Sequence, residues 1–132
     1  MPNGHYSPHS SSIGNTDANI ISALAYILPV VLSFVPIIGG LSWFIPIFMF
    51  FLEKNSNLVK FHSMQSVALH IIKVAVLAVV SIFSFIPILG SLAHFICSLF
   101  FMVISVFVII RSYSYDEYKL PFIGDFVAKL IK

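Results

Sequence analysis

The stretch Ala18–Leu52, ANIISALAYILPVVLSFVPIIGGLSWFIPIFMFFL, contains no charged residue. As one continuous α-helix it would run ~52 Å at ~1.5 Å per residue, far beyond a hydrocarbon core ~30 Å thick. Gly39-Gly40, shortly after Pro36, supplies a break near the middle. The stretch therefore reads as a hairpin. A first helix is predicted over about 17–34, with Thr16 or Asp17 as N-cap, and a second over about 40–52. Pro29 and Pro46 are expected to kink them. Both segments are short for full crossings, so a re-entrant hairpin that never crosses stands beside a pair of spans. Either form leaves both ends on one side.

The rest of the chain has the same character. Of 132 residues, 59% are hydrophobic and 9% charged, with mean hydropathy +1.03. Soluble domains average about 45–50% apolar and about 25% charged residues. A single water-soluble domain of this size would lack polar residues for its surface. This excludes a soluble enzyme and a disordered chain. The net charge of +2 is too small for a polyanion-binding field, so no nucleic-acid partner is expected. Cys97 has no partner for an internal disulfide and reads as a small packing residue.

Residues 1–16 hold Pro2, Gly4, Pro8, Gly14 and Ser10-Ser11-Ser12, with no Lys or Arg. They read as a flexible tail, and as neither a secretory signal nor a transit peptide. His5 and His9 have helical ligand spacing, but a Pro/Gly/Ser tail is a poor helix, so no metal is expected there. After a polar connection from Glu53 to Lys60, a third helix is predicted over about 58–85 and a fourth over about 92–110, closed by Arg111. The expected organisation is a tail (1–16), a four-helix membrane domain (17–111) and a second tail (112–132). The fold class is all-α, with four transmembrane helices as two tandem hairpins.

The two hairpin turns resemble each other. Ser33–Ile45 (SFVPIIGGLSWFI) and Ser84–Ile96 (SFIPILGSLAHFI) share eight of thirteen residues at an offset of 51, including Pro36/Pro87 and Gly39/Gly90. The reading is duplication, with parallel repeats and both turns on one face. Lys54, Lys60, Arg111, Lys119, Lys129 and Lys132 all fall on the opposite face, which places both termini in the cytoplasm, most simply at a prokaryotic plasma membrane.

Stepping 100° per residue along the third helix puts His62, Ser66, His70, Lys73 and Ser84 within a stripe about 80° wide, with Gln65 and Ser81 at its edges. Ionisable groups in membrane helices mark wet cavities by default; the competing reading is packing and snorkelling. Lys73 lies ~16 Å along the axis from His62, too deep for snorkelling alone, and no carboxylate occurs in the apolar runs. His62 and His70 are too far apart to chelate one ion from one helix. No catalytic triad spacing or Gly-rich phosphate loop is present, so neither enzyme activity nor a cofactor is expected.

In the C-terminal tail, Phe122, Ile123, Phe126, Val127, Leu130 and Ile131 follow helical spacing, with Asp125, Lys129 and Lys132 elsewhere around the helix. Pro121 suits its first turn, and Tyr113, Tyr115 and Tyr118 precede it as an aromatic belt. This predicts an interfacial amphipathic helix, or else a peptide offered to a soluble partner.

Two stretches carry a resemblance. Glu53-Lys54-Asn55 leading to Val59–Ser66 (VKFHSMQS), and Tyr118–Asp125 (YKLPFIGD, with Gly124), resemble a family of small, mostly uncharacterised prokaryotic four-helix membrane proteins. That family is similar to the twenty-kilodalton inner-envelope subunit of the chloroplast import translocon (Tic). The first motif resembles that subunit's basic-Phe-polar-x-Met-Gln stretch. His70 and Lys73 depart from the apolar pattern, and the N-tail lacks transit-peptide character. The resemblance implies no catalytic residue. The expectation is a non-catalytic multi-pass membrane component whose partners are the lipid bilayer and either another membrane protein or further copies of itself. The alternative is a small channel or carrier using the third-helix stripe.

Overall fold

The computed structural model describes residues 4–131. In chain order these form strand β1 (Gly4–His5), helices α1 (Ala18–Leu32), α2 (Phe44–Leu52), α3 (Asn57–Ser81) and α4 (Leu89–Tyr113), strand β2 (Asp116–Glu117) and helix α5 (Ile123–Leu130). Short 3-10 turns cover Gly39–Leu41 and Ile82–Phe85. Two helices are long and apolar enough to cross a membrane: α3 with its 3-10 extension, and α4. Only 17% and 11% of their most apolar windows are buried, so their apolar surface faces outward. The described residues thus contain five helices, two of spanning length, where the sequence predicts four crossings. The difference lies in the first hairpin. Helix α1 stops at Leu32, and the turn with its 3-10 segment runs on to Trp43, leaving α2 only nine residues.

The prolines do different things. Pro29 lacks the N–H that would bond Ala25 C=O, and the Ser66 hydroxyl donates to that carbonyl at 2.7 Å instead. A neighbouring helix thus repairs the break, as apolar surroundings require. Pro46 occupies the first turn of α2, where its N–H would have had no helical partner, so the kink expected there has no cause.

Both hairpin turns are γ-turns. The residue after the proline has positive φ (Ile37 75°, Ile88 67°), and the next N–H returns to the proline carbonyl (Ile38 to Pro36, 2.8 Å; Leu89 to Pro87, 2.6 Å). A third copy, which the sequence reading missed, opens α5: Phe122 has φ 67°, and Ile123 N–H donates to Pro121 C=O at 2.8 Å. The three segments VPIIG, IPILG and LPFIG share one construction. Each apex residue is thrust outward: Ile37, Ile88 and Phe122 are 95%, 83% and 92% exposed. The closing glycine is forced by close approach, since a Cβ on Gly39 or Gly90 would lie 2.6 Å from a backbone carbonyl oxygen.

The two hairpins are out of level. Tyr26 Oη meets His62 Nδ1 at 2.7 Å. From that pair α1 runs another ~9 Å to Leu32, whereas α3 runs ~28 Å to Ser81. Helix α4 gives the same result: Asn19 Nδ2 donates to Tyr113 C=O, and from there α1 runs ~20 Å against ~36 Å for α4. The Ser66–Ala25 contact leaves ~10 Å of α1 against ~22 Å of α3, so across the three contacts the first turn stops roughly 12–19 Å short of the second. The two turns thus end at different depths, which their shared sequence does not show.

Residues 4–17 also differ from the flexible tail expected. Tyr6 N–H donates to Tyr115 C=O at 2.9 Å, and β1 pairs antiparallel with β2. Ser10 bridges Asp17, and Ala18 N–H donates to His9 C=O at 2.9 Å. What ties this apolar-poor segment down is hydrogen bonding to residues distant in sequence.

Gly39→Ala should lower the thermal midpoint in detergent, at a cost of about 1–3 kcal/mol for overpacking against backbone. Gly40→Ala, whose added Cβ meets nothing within 4 Å, should be silent. Equal midpoints for the two variants would contradict the turn geometry.

Candidate functional site

Side chains with chemistry gather in three places, and the stripe predicted on α3 is divided among them. The first lies where α1 and α3 meet the C-terminal tail. His62 and Gln65 are fully buried and Ser66 nearly so. His62 Nε2 contacts Asp116 C=O at 2.8 Å; a carbonyl only accepts, so Nε2 carries the proton and Nδ1 accepts from the Tyr26 hydroxyl. The Gln65 amide donates to Tyr26 Oη and to Tyr118 C=O, both at 3.0 Å, and its oxygen accepts from Leu120 N–H at 3.1 Å. Every polar atom of the His62 ring and the Gln65 amide is engaged. The arrangement clamps the tail to the bundle.

The second place is the connection between α2 and α3. Glu53 is 2% exposed. One carboxylate oxygen, Oε1, accepts from Ser12 N–H and Oγ and from the backbone N–H groups of Lys54, Asn55 and Ser56, at 2.8–3.0 Å. The other accepts from the Ser11 hydroxyl. Burial pushes the carboxyl up, but the hydrogen bonds from Ser11, Ser12, Asn55 and Ser56 outweigh it and hold it down at about 2. Ser56 caps α3, accepting from Val59 N–H at 3.3 Å, and its hydroxyl lies 2.6 Å from His9 Nε2. Nearby, Arg111 reaches Asp116 at 3.2 Å, as does His5 at 2.6 Å. Burial, with the charge and hydrogen bond of Glu117, pushes the Tyr6 hydroxyl up to about 12. These links join the N-terminal strap, the connection and the C-tail into one polar cap at one end of the bundle.

The third place is a cavity of about 400 Å³ between α1, the first turn, α3 and α4. His70 and Lys73 line it with Ser42, Ser98 and a larger aliphatic wall. Trp43 stacks on the His70 ring at 5.5 Å between centroids and 13° between planes. Ser42 is already committed, donating to Pro29 and Gly39 carbonyls. Lys73 has no hydrogen-bond or ion-pair partner among the described residues. Ser84 belongs to none of these places; with Ser81, Ser91 and His94 it lines a separate recess beside the second turn.

In the tail, Tyr115 packs at a tilt against His9, Tyr118 lies under Arg111 at 5.3 Å and against Phe107, and Tyr113 is exposed. Pro121 begins the third γ-turn, Gly124 follows it with its N–H donating to Leu120 C=O at 2.8 Å, and Asp125 lies 3.9 Å from Lys119 Nζ. Helix α5 buries Gly124 and Val127 while Phe126 and Leu130 stay exposed. Lys132 lies outside the described residues. The α3 stripe did not point to Tyr26, Glu53, Ser11 or His9. The signal for Glu53 was its place three residues before an N-capping serine.

Apolar helices facing outward, a polar cap at one end and one cationic cavity define a small helical membrane protein. The chain belongs to the magnetosome magnetite crystal formation protein family, whose model matches residues 17–127. It is also similar to a UPF0132 membrane protein of Archaeoglobus fulgidus, 35% identical over 114 residues, covering 86% of this chain and 94% of that protein. No solved structure matches.

Tyr26→Phe should destabilise the fold by about 1–3 kcal/mol, because buried acceptor and donor atoms on His62 and Gln65 lose their partner. Equilibrium unfolding in detergent checks this. The Glu53 carboxyl titrates lower in the folded chain than its ordinary 4.5, so its contribution is present above that value and is lost as pH falls towards about 2. Glu53→Gln should remove on the order of 3 kcal/mol at neutral pH, flatten the acid limb of the stability profile, and expose residues 4–17 to limited proteolysis.

Proposed function

We propose that the protein is a non-catalytic multi-pass membrane protein that serves as a packing component of a membrane assembly. The single observation that carries this reading is how the polar side chains are used. His62, Gln65 and Glu53 are spent on internal hydrogen bonds, while the large apolar faces of α3 and α4 are left for lipid or partner helices. In this reading α3 and α4 cross the bilayer, and the first hairpin enters and returns. Four full crossings would require the ~22 Å of α1 and the ~14 Å of α2 to traverse a ~30 Å core. Both termini and the polar cap lie in the cytoplasm, the side to which the basic residues assign them, with the prokaryotic plasma membrane or a membrane derived from it as the location. Helix α5, with Phe122, Phe126 and Leu130 uncovered, rests in that interface.

The family's name attaches it to magnetosome magnetite crystal formation. In that setting the chain's part is that of a component of the enclosing membrane. A translocation or envelope complex, the partner class implied by the resemblance to the translocon subunit, is the other setting in which the same packing role applies. A second reading, a small channel or carrier, is favoured by one observation: Lys73 faces a cavity without a partner of its own.

Single cysteines introduced at Asn55, Gly40 and Ser91 in a Cys97→Ser background test the placement. An impermeant maleimide should label Asn55→Cys only from the cytoplasm and Ser91→Cys only from outside. Gly40→Cys should react from outside at least tenfold more slowly than Ser91→Cys. Labelling of Ser91→Cys from the cytoplasm would overturn the topology. Mild-detergent purification with mass spectrometry should retain further protein subunits or copies; a solitary homogeneous species would overturn the assembly reading.

A further inference from the structure

The cavity beneath the first turn has two kinds of wall. One carries His70 and Lys73, a helical turn apart on α3. The other is formed by Val31, Phe34, Met102 and Val106, all exposed on the outer surface and therefore continuous with the lipid-facing side. Lys73 lies ~24 Å along the axis from Asn57 and ~20 Å from Phe85, so it is near mid-depth of the long hairpin. Its stem cannot carry the ammonium that far to either interface. No Asp or Glu occurs in Ala18–Leu52 or in Asn57–Ile110, so the chain has no embedded carboxylate to pair with it. The short first hairpin leaves space beside the upper part of α3 and α4, and the polar backbone of its turn lies at a depth where such groups must line protein or water.

We propose that this cavity binds an amphiphile with one anionic headgroup and an acyl chain, entering sideways from the bilayer. The headgroup pairs with Lys73, with His70 held beside it by its stack on Trp43, and the chain lies along Val31, Phe34, Met102 and Val106. The assignment rests on the membrane placement proposed above. It supplies the substrate class that the carrier reading leaves open.

Displacement of the fluorescent fatty acid cis-parinarate from the full-length protein in neutral detergent micelles tests it. Oleate should displace the probe, and oleyl alcohol should do so at least tenfold less well. Lys73→Met should weaken probe binding at least tenfold with an unchanged thermal midpoint, and Lys73→Arg should restore most of it. Met102→Trp, which narrows the apolar arm while keeping Lys73, should also lose binding, and serves if Lys73→Met fails to fold. Displacement by phosphatidylglycerol rather than oleate would identify a phospholipid phosphate as the source of the same headgroup chemistry. Equal displacement by oleyl alcohol, or by acetate alone, would overturn the proposal in favour of plain partitioning or a small-anion site. Failure of the unsubstituted protein to bind the probe, with the cysteine labelling pattern as expected, sinks the site alone; a changed labelling pattern sinks the placement beneath it.

Discussion

The hydrogen bond between the Tyr26 hydroxyl and His62 sets the axial register of α1 against α3, and most of the structure follows from that register. One turn further along α3, the Ser66 hydroxyl reaches the Ala25 carbonyl that Pro29 leaves open, because the long Tyr26 side chain runs along the axis to His62. Gln65 comes within reach of the same hydroxyl and of the tail backbone. The end of α1 is fixed near the level of His70, where Trp43 can stack. In surroundings that offer no water to unpaired groups, each contact narrows the choices for the next.

That register also explains why two similar turns serve different surroundings. The segments around Pro36 and Pro87 share sequence and γ-turn geometry, yet the second ends a helix of spanning length and the first does not. The cause is the length of helix ahead of each turn: fifteen residues in α1, against twenty-five in α3 plus a 3-10 extension. The two segments share the turn chemistry and not the reach. The space beside the shorter hairpin is where Lys73 and His70 are found.

Opposite in character is the polar cap at the other end. Glu53 gathers the N-terminal strap, the connection and the start of α3 through one carboxylate, and Arg111 and His5 converge on Asp116. Carboxylates with several N–H and O–H donors are strong local organisers because each bond is charge-assisted. The cap orders a segment whose own composition carries too little apolar surface to fold.

Composition and the uncharged runs were enough to determine the membrane as solvent and the helical class, because low charge and long apolar periodicity admit few other solutions. The α3 stripe was also legible, since its spacing is local. Its division was not. Whether His62 clamps a tail, His70 stacks on Trp43 or Lys73 faces a cavity depends on which segment lies opposite, a long-range fact that periodicity does not carry. The same limit hid the partners of Glu53, the order in residues 4–17 and the unequal depth of the two turns. Hydropathy reports how apolar a helix is. Only the packing of one helix against another decides where along the membrane normal it stops.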